Sequence, residues 1–389
     1  MRALIVDPRN TRQGVTAVRA LARAGWTVGV GGSSPRSVTA SSRWCAWWHP
    51  VPPPEGGLDQ FVSAINVAAA QRGYEVVLPC GDAEALALSG ERHRIRTLVP
   101  YPPHEVVACA FDKVRLAEAA ARARVPTPAT TLVRIGAPLP AMSSPVIVKE
   151  RVHAGLNQGR SGRLEAAVAA TAAEARGLVA AIHAGGGDAV VQEIVPGRLI
   201  AHTSVTAPDG RLVVAVQQEA ERIFPPETGA SARARTVPLD PDLAAGAARL
   251  LRELRWTGLA ELQFVGTKGS KPCLIDFNGR FYGSLALAVG AGANLPAVWA
   301  SVATGRPPGD VSEAVPGTRF QWLEGDLRLA TGARGGALIR ETLRCVRYAV
   351  GARHGIWSGT DPLPQAREAL RLAREEAPNL HRLGRKLLR

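Results

Sequence analysis

The stretch 274–284 reads LIDFNGRFYGS. An apolar pair, Leu274 and Ile275, delivers Asp276; Phe277 then alternates with Asn278, and Gly279 precedes Arg280. Alternation at period two predicts a strand with Asp276, Asn278 and Arg280 on one face. A carboxylate and a carboxamide oxygen suit a hard cation such as magnesium, which takes oxygen ligands and keeps phosphates as partners. An arginine beside them suits the charge of a phosphoryl group in transfer. On spacing alone the pattern is equally a solvated face of an antiparallel strand, because short motifs often arise by chance.

Other residues could serve the same chemistry. Lys113 follows Asp112 at the start of a helix that Val125-Pro126-Thr127-Pro128 stops; taken alone it reads as a solvated lysine. The run 145–148 predicts a strand ending on Lys149, a compact point charge suited to phosphate. The next residues, ERVHAGLNQGRSGR, form a glycine-rich polar loop able to fold over phosphates with backbone N–H donors. No G-x-x-x-x-G-K-[ST] run occurs, so the phosphate device is not a P-loop. In the strand predicted over 258–264, Glu261 and Gln263 share a face.

The elements that must position these residues are legible in outline. ALIV at 3–6, a helix closed by Gly25 and a strand over 26–30 make a β-α-β unit, hence a parallel sheet and an α/β class. No G-x-G-x-x-G follows the first strand, so a dinucleotide fingerprint is not supported. A strand over 75–78 ends in Pro79-Cys80-Gly81-Asp82, at the carboxyl end where open α/β sheets bind ligands. Helices are expected over 58–71, 166–183, 243–254 and most of 285–305, and a hairpin turns at Pro208-Asp209-Gly210. The tail from Val311 reads as basic and helical, with a turn-rich break at 357–364 and a basic end over 381–389.

Length and composition set bounds. The chain has 389 residues, 46% hydrophobic and 21% charged, enough for two or three domains. Five scattered cysteines without a C-x-x-C pair argue against a disulfide framework or zinc knuckle and fit a reducing cytoplasm. No signal peptide or membrane-spanning run is expected. The net charge of +14 comes from dispersed arginines without an RNA-binding signature, so no nucleic-acid partner is expected.

The run D-F-N-G-R-F-Y-G-S resembles the metal-binding signature of the ATP-grasp superfamily, E/D-x-N-x-R followed by an aromatic and a small residue. That superfamily includes carbamoyl phosphate synthetase, biotin carboxylase and D-alanine-D-alanine ligase; the chain is most similar to predicted ATP-grasp carboligases. The other motifs follow in the family's order over roughly 1–305. The resemblance implies an ATP-grasp fold, two α+β subdomains gripping ATP behind a Rossmann-like pre-ATP-grasp domain. Its boundaries would be 1–110, 111–190 for the lysines and flap, 191–305 for the metal site, and a basic helical extension over 306–389. It implies ATP and Mg2+ as cofactors, with two ions and with Mn2+ as an alternative. Lys113 and Lys149 would contact phosphates, and Gln192, Glu193 and Val195 the adenine. Gln263, Asp276 and Asn278 would hold metal, with Glu261 the alternative to Gln263. Arg280 would be catalytic, and Arg222, Arg233 and Ser284 would face the substrate. Relatives place an acid after the linker glycine for the ribose; here stand Arg198, Leu199 and Ile200, leaving Glu193 or His202 for that task. The implied reaction phosphorylates a small-molecule carboxylate and couples it to an amine, the two being amino acids or a peptide, with release of ADP and phosphate. A carboxylase or thiol ligase, or a non-catalytic ATP-binding protein, is the alternative, and a homodimer is compatible with the resemblance.

Overall fold

The computed structural model describes residues 1–141, 145–152, 166–267, 269–309, 311–332 and 336–374. The glycine-rich flap expected over 151–163 falls outside the described residues apart from Arg151 and Val152, as does the basic end over 381–389.

The chain begins with β1 (Arg2–Val6), α1 (Arg12–Arg23), β2 (Thr27–Gly32), β3 (Cys45–Pro50), α2 (Leu58–Arg72), β4 (Val76–Pro79) and α3 (Asp82–Gly90). The four strands form a parallel sheet in the order β3-β2-β1-β4, as expected of short buried runs joined by helices. The edge strand β3 carries Trp47 and Trp48. The carboxyl ends of β1 and β4 therefore lie side by side. From them emerge the loop before α1, capped by Thr11, and the start of α3 at Asp82.

Two further helices, α4 (His104–Phe111) and α5 (Lys113–Arg122), lead into a small antiparallel sheet. Its strands are β5 (Thr130–Val133), β6 (Val146–Glu150), β7 (Ala167–Ala169) and, after α6 (Ala172–Ala184), β8 (Ala189–Glu193), in the order β5-β8-β6-β7. The helix expected over 166–183 thus begins later than its alanines suggested. Residues 167–169 pair with β6, and Thr171 caps α6 by accepting from the Glu174 N–H. The strand β8 runs across residues 190 and 191, where a domain boundary was expected.

The rest is built on a seven-stranded sheet. In chain order come β9 (Arg198–Thr206), β10 (Leu212–Phe224), β11 (Ala230–Val237), α7 (Pro241–Leu254), β12 (Gly258–Gly266), β13 (Cys273–Asn278), α8 (Leu285–Gly290) and α9 (Leu295–Ala303). Then follow β14 (Arg319–Gln321), α10 (Leu323–Thr331), α11 (Gly336–Ala349) and β15 (Ala352–Arg353), and residues 363–374 are helical. The sheet order is β13-β12-β9-β10-β11-β14-β15, so the extension beyond 305 adds two strands to this sheet as well as helices. One large core joins the N-terminal sheet to this one: Trp256, Trp299, Phe277 and Phe281 pack together with Tyr101 and Phe111. The small sheet has its own core around Val133, Val148, Val179 and Ile182. No helix among the described residues is long and apolar enough to cross a membrane.

Candidate active site

A cavity of about 840 Å³ opens between the small sheet, the large sheet, the loop before α1 and the C-terminal extension. Its floor is the pair β12–β13. The antiparallel register sets Glu261 opposite Asn278 and Gln263 opposite Asp276, so four oxygen-bearing side chains share one face. The alternate residues Leu262, Phe264 and Phe277 are buried in the core, and this fixes which face is polar. Glu261 is the hub of the cluster. Its Oε2 accepts from Asn278 Nδ2 at 2.9 Å and from Gln263 Nε2 at 3.2 Å. Burial raises the Glu261 pKa to about 7, against the pull of Arg280 and with a further push from Asp276. A carboxyl desolvated in this way gains from a cation. The set comprises two carboxylates and two amides, and no group of three or more His, Cys, Asp or Glu side chains placed for metal occurs among the described residues. Such a donor set fits a hard cation that completes its shell with phosphate and water rather than one held in an all-protein cage.

Opposite the floor stand two lysines. Asp112 caps α5 by accepting from the N–H groups of Val114 and Arg115, which aims Lys113 from the first turn into the cavity. Asp112 is itself held by Arg151 at 2.8 Å. Lys113 Nζ lies 3.9 Å from Asp276 Oδ1. Lys149, on β6, donates to the Ile275 carbonyl at 3.4 Å. Both lysines are buried.

The segment joining the small and large sheets lines the cavity with Gln192, Glu193 and Val195. Gln192 is oriented by its bond to Thr130 Oγ1 at 2.8 Å. Gly197 has φ +139°, and a Cβ there would lie 2.2 Å from the Gly266 backbone, so the linker runs tight against the end of β12. His202 does not reach the cavity: it is buried in β9, where desolvation lowers its pKa to about 4. Of the two side chains expected to replace the ribose acid, only Glu193 lines the cavity.

Arg280 lies just past the end of β13 yet still lines the cavity. Its Nε and Nη2 donate to the two carboxylate oxygens of Asp82, at 2.9 and 3.4 Å. Burial alone would lower its pKa; the charge and hydrogen bonds of Asp82 outweigh that and hold the guanidinium above its ordinary value. Asp82 was visible only as a polar residue past a strand end, and its partner 198 residues away was not. Ser284 also lines the cavity and accepts from Gln218 Nε2 at 2.6 Å.

Arg222 and Arg233 are not brought to the cavity. Both bond to Asp326, a fully buried carboxylate of α10, at 3.3 and 2.6 Å; Arg222 also pairs with Glu341 at 2.6 Å. They tie the C-terminal extension to β10 and β11 rather than facing a substrate. Sequence reasoning also missed Arg12, Trp322 and Glu324, which line the cavity from the first loop and from the extension.

A family model described as ATP-grasp in the biosynthetic pathway with Ter operon matches residues 188–326. No curated protein matches in sequence. Among solved structures, the L-amino acid ligase from Bacillus licheniformis is similar at TM-score 0.63 and 12% identity, over 80% of this chain and 77% of that one. The biotin carboxylase domain of the Hydrogenobacter thermophilus 2-oxoglutarate carboxylase, in complex with MgADP, is similar at TM-score 0.59 and 15% identity, over 82% and 72%. The N5-carboxyaminoimidazole synthetase from Staphylococcus aureus, complexed with ADP, is similar at TM-score 0.59 and 12% identity, over 79% and 78%. Identities this low show the shared fold alone. Residues 188–326 thus match an ATP-grasp family model, and the chain has the ATP-grasp fold, grasping subdomains behind a Rossmann-like sheet.

Proposed function

We propose that the protein is an ATP- and Mg2+-dependent ligase that phosphorylates a carboxylate and couples it to an amine. One observation carries this reading: two buried lysines on one wall of the cavity face the oxygen cluster of β12–β13 on the other, with Arg280 beside it. The similarity to an L-amino acid ligase and to a synthetase solved with ADP supports it. In this reading Lys113 and Lys149 neutralise the phosphates, and Gln192, Glu193 and the Val195 backbone hold the adenine. Glu261, Gln263, Asp276 and Asn278 hold the cation, with Glu261 promoted from alternative to central ligand by its two hydrogen bonds. Bound magnesium would supply charge neutralisation at the phosphates.

A carboxylate oxygen attacks the γ-phosphorus, and the bond from that phosphorus to the β–γ bridging oxygen breaks, freeing ADP. The amine nitrogen then attacks the acyl carbon, the carbon–oxygen bond to phosphate breaks, and the amine gives up a proton. Little covalent work falls to the protein; positioning and charge carry the step. Arg280, held from behind by Asp82, presents its guanidinium to the transferred phosphoryl without having to be ordered at the moment of reaction.

Carboxylases share the fold to a comparable degree, so the acceptor is what the decisive experiment must resolve. ATP and magnesium are incubated with pooled amino acids, with bicarbonate, or with thiols, and nucleotide products are followed. Release of ADP and phosphate that depends on the amino acids is expected. Dependence on bicarbonate or thiol moves the reading to the alternative, and AMP with pyrophosphate overturns it.

A further inference from the structure

With Arg222 and Arg233 committed to Asp326, the cavity needs another group to hold the substrate's charge. Arg12 is the first residue of α1 and lines the cavity. Its Nε donates to the Gly283 carbonyl at 3.0 Å, and its guanidinium carbon lies 4.1 Å from the ring centroid of Trp322. Among the described residues it forms no ion pair, and its Nη1 and Nη2 make no hydrogen bond. Gly283, the last glycine of the FNGRFYGS run, makes room for it: a Cβ there would lie 2.4 Å from Nη2. Two carboxylates on the same wall, Glu324 and Glu368, are already engaged. Glu324 binds Arg328 at 2.9 Å, and Glu368 binds Arg371 through both oxygens at 2.8 Å.

Arg12 is partly buried, and that burial, with the like charge of Arg280, pulls its pKa down to about 10 against Glu324, Glu261 and Glu368. The arrangement is that of a binding group waiting for an anion. One edge is fixed at Gly283 and one face by Trp322, and the residue lines the cavity. A planar fork of this kind matches a carboxylate with two oxygens.

We infer that Arg12, backed by Trp322 and admitted by Gly283, binds a carboxylate that is not the one activated, so that the substrate held here carries an anionic group of its own. The assignment rests on the ligase reading for its chemistry. The spare carboxylate belongs either to the amine-bearing acceptor, as in an α-amino acid, or to a dicarboxylate donor.

The test is calorimetric binding of L-alanine, L-alaninamide and succinate to the wild-type protein and to Arg12→Ala and Arg12→Lys, with ATP binding and Tm measured alongside. Binding of L-alanine but not of its amide identifies an amine-bearing acceptor; binding of succinate identifies a dicarboxylate donor. In either case Arg12→Ala should weaken binding about tenfold or more, and Arg12→Lys should restore it only in part, because the fork is lost. ATP affinity and Tm should stay close to wild type. Anion binding by Arg12→Ala within about twofold of wild type overturns the assignment, as does the absence of any anion binding by wild type up to about 10 mM. A wild-type protein that binds these anions but not ATP would instead sink the ligase reading and leave the Arg12 site standing.

Discussion

At the scale of single residues the question is which interactions exist before the transition state and which only in it. Arg280 already holds Asp82 in both contacts of a fork, so its position is set in advance. Removing it should therefore lower kcat by roughly two orders of magnitude, the scale of losing one preorganised donor, with ATP affinity little changed. Arg280→Lys should recover part of the loss. Steady-state ADP release beside nucleotide calorimetry checks this; a mutant with weakened ATP binding and normal kcat would make Arg280 a ground-state anchor. Asp276 differs, because it faces Lys113 and shares the proposed cation cluster. Asp276→Asn keeps the shape and a carbonyl oxygen but loses the charge, so turnover should fall steeply while the Tm holds. Near-normal rates at saturating magnesium would remove Asp276 from the ligand set.

At the scale of elements, strands that carry their own period-two pattern were readable: β12 and β13 stand where alternation put them, with polar and core faces assigned correctly. Asp112 and Lys113 were likewise a local cap-and-helix signal. What was illegible depended on partners distant in sequence. Arg222 and Arg233 looked available because Asp326 lies about a hundred residues later, in a helix whose docking no local pattern announces. Nothing local singles out Arg12, because Trp322 and Gly283 are remote in sequence. The strand β7 was hidden by alanines whose helix propensity lost to pairing with β6. The Asp326 junction carries its own prediction. Asp326→Ala would leave Arg233 buried without its carboxylate and free Gln321 as well, which should cost about 3–5 kcal/mol and loosen the extension from β11. Chemical denaturation measures the loss, and proteolysis within 336–374 should speed up. A stability loss below about 1 kcal/mol would show that the junction is solvated in solution.

At the scale of the whole molecule, the N-terminal sheet carries a pH dependence away from the candidate active site. Asp7 at the end of β1 and Glu84 in α3 are both buried beneath the loop before α1. Burial raises Glu84 to about 7, opposed by Arg9 at 3.5 Å and reinforced by Glu55 and Asp7. Among the described residues, neither carboxyl oxygen of Glu84 has a hydrogen-bond partner. Burial likewise raises Asp7 to about 6, against the bonds from Thr39 and Thr11. A carboxyl whose pKa is higher in the folded than in the unfolded state prefers its proton in the fold. Its contribution is therefore complete below the unfolded value, declines as pH rises toward the folded value, and is flat above it. For Glu84 that window runs from the ordinary 4.5 to about 7, and the span corresponds to about 3 kcal/mol. Carboxylates held low, such as Asp361 between Ser42, Arg43 and Arg19, act in the opposite sense, but only as pH falls through the acid range, so the two effects separate. Glu84→Gln removes the titration while keeping the shape. Its Tm should match wild type near pH 4.5 and exceed it progressively up to pH 7, after which the gap should stay constant. Thermal denaturation of both proteins across that range supplies the comparison, and a gap that does not change with pH would mean that Glu84 is ionised throughout, stabilised by Arg9.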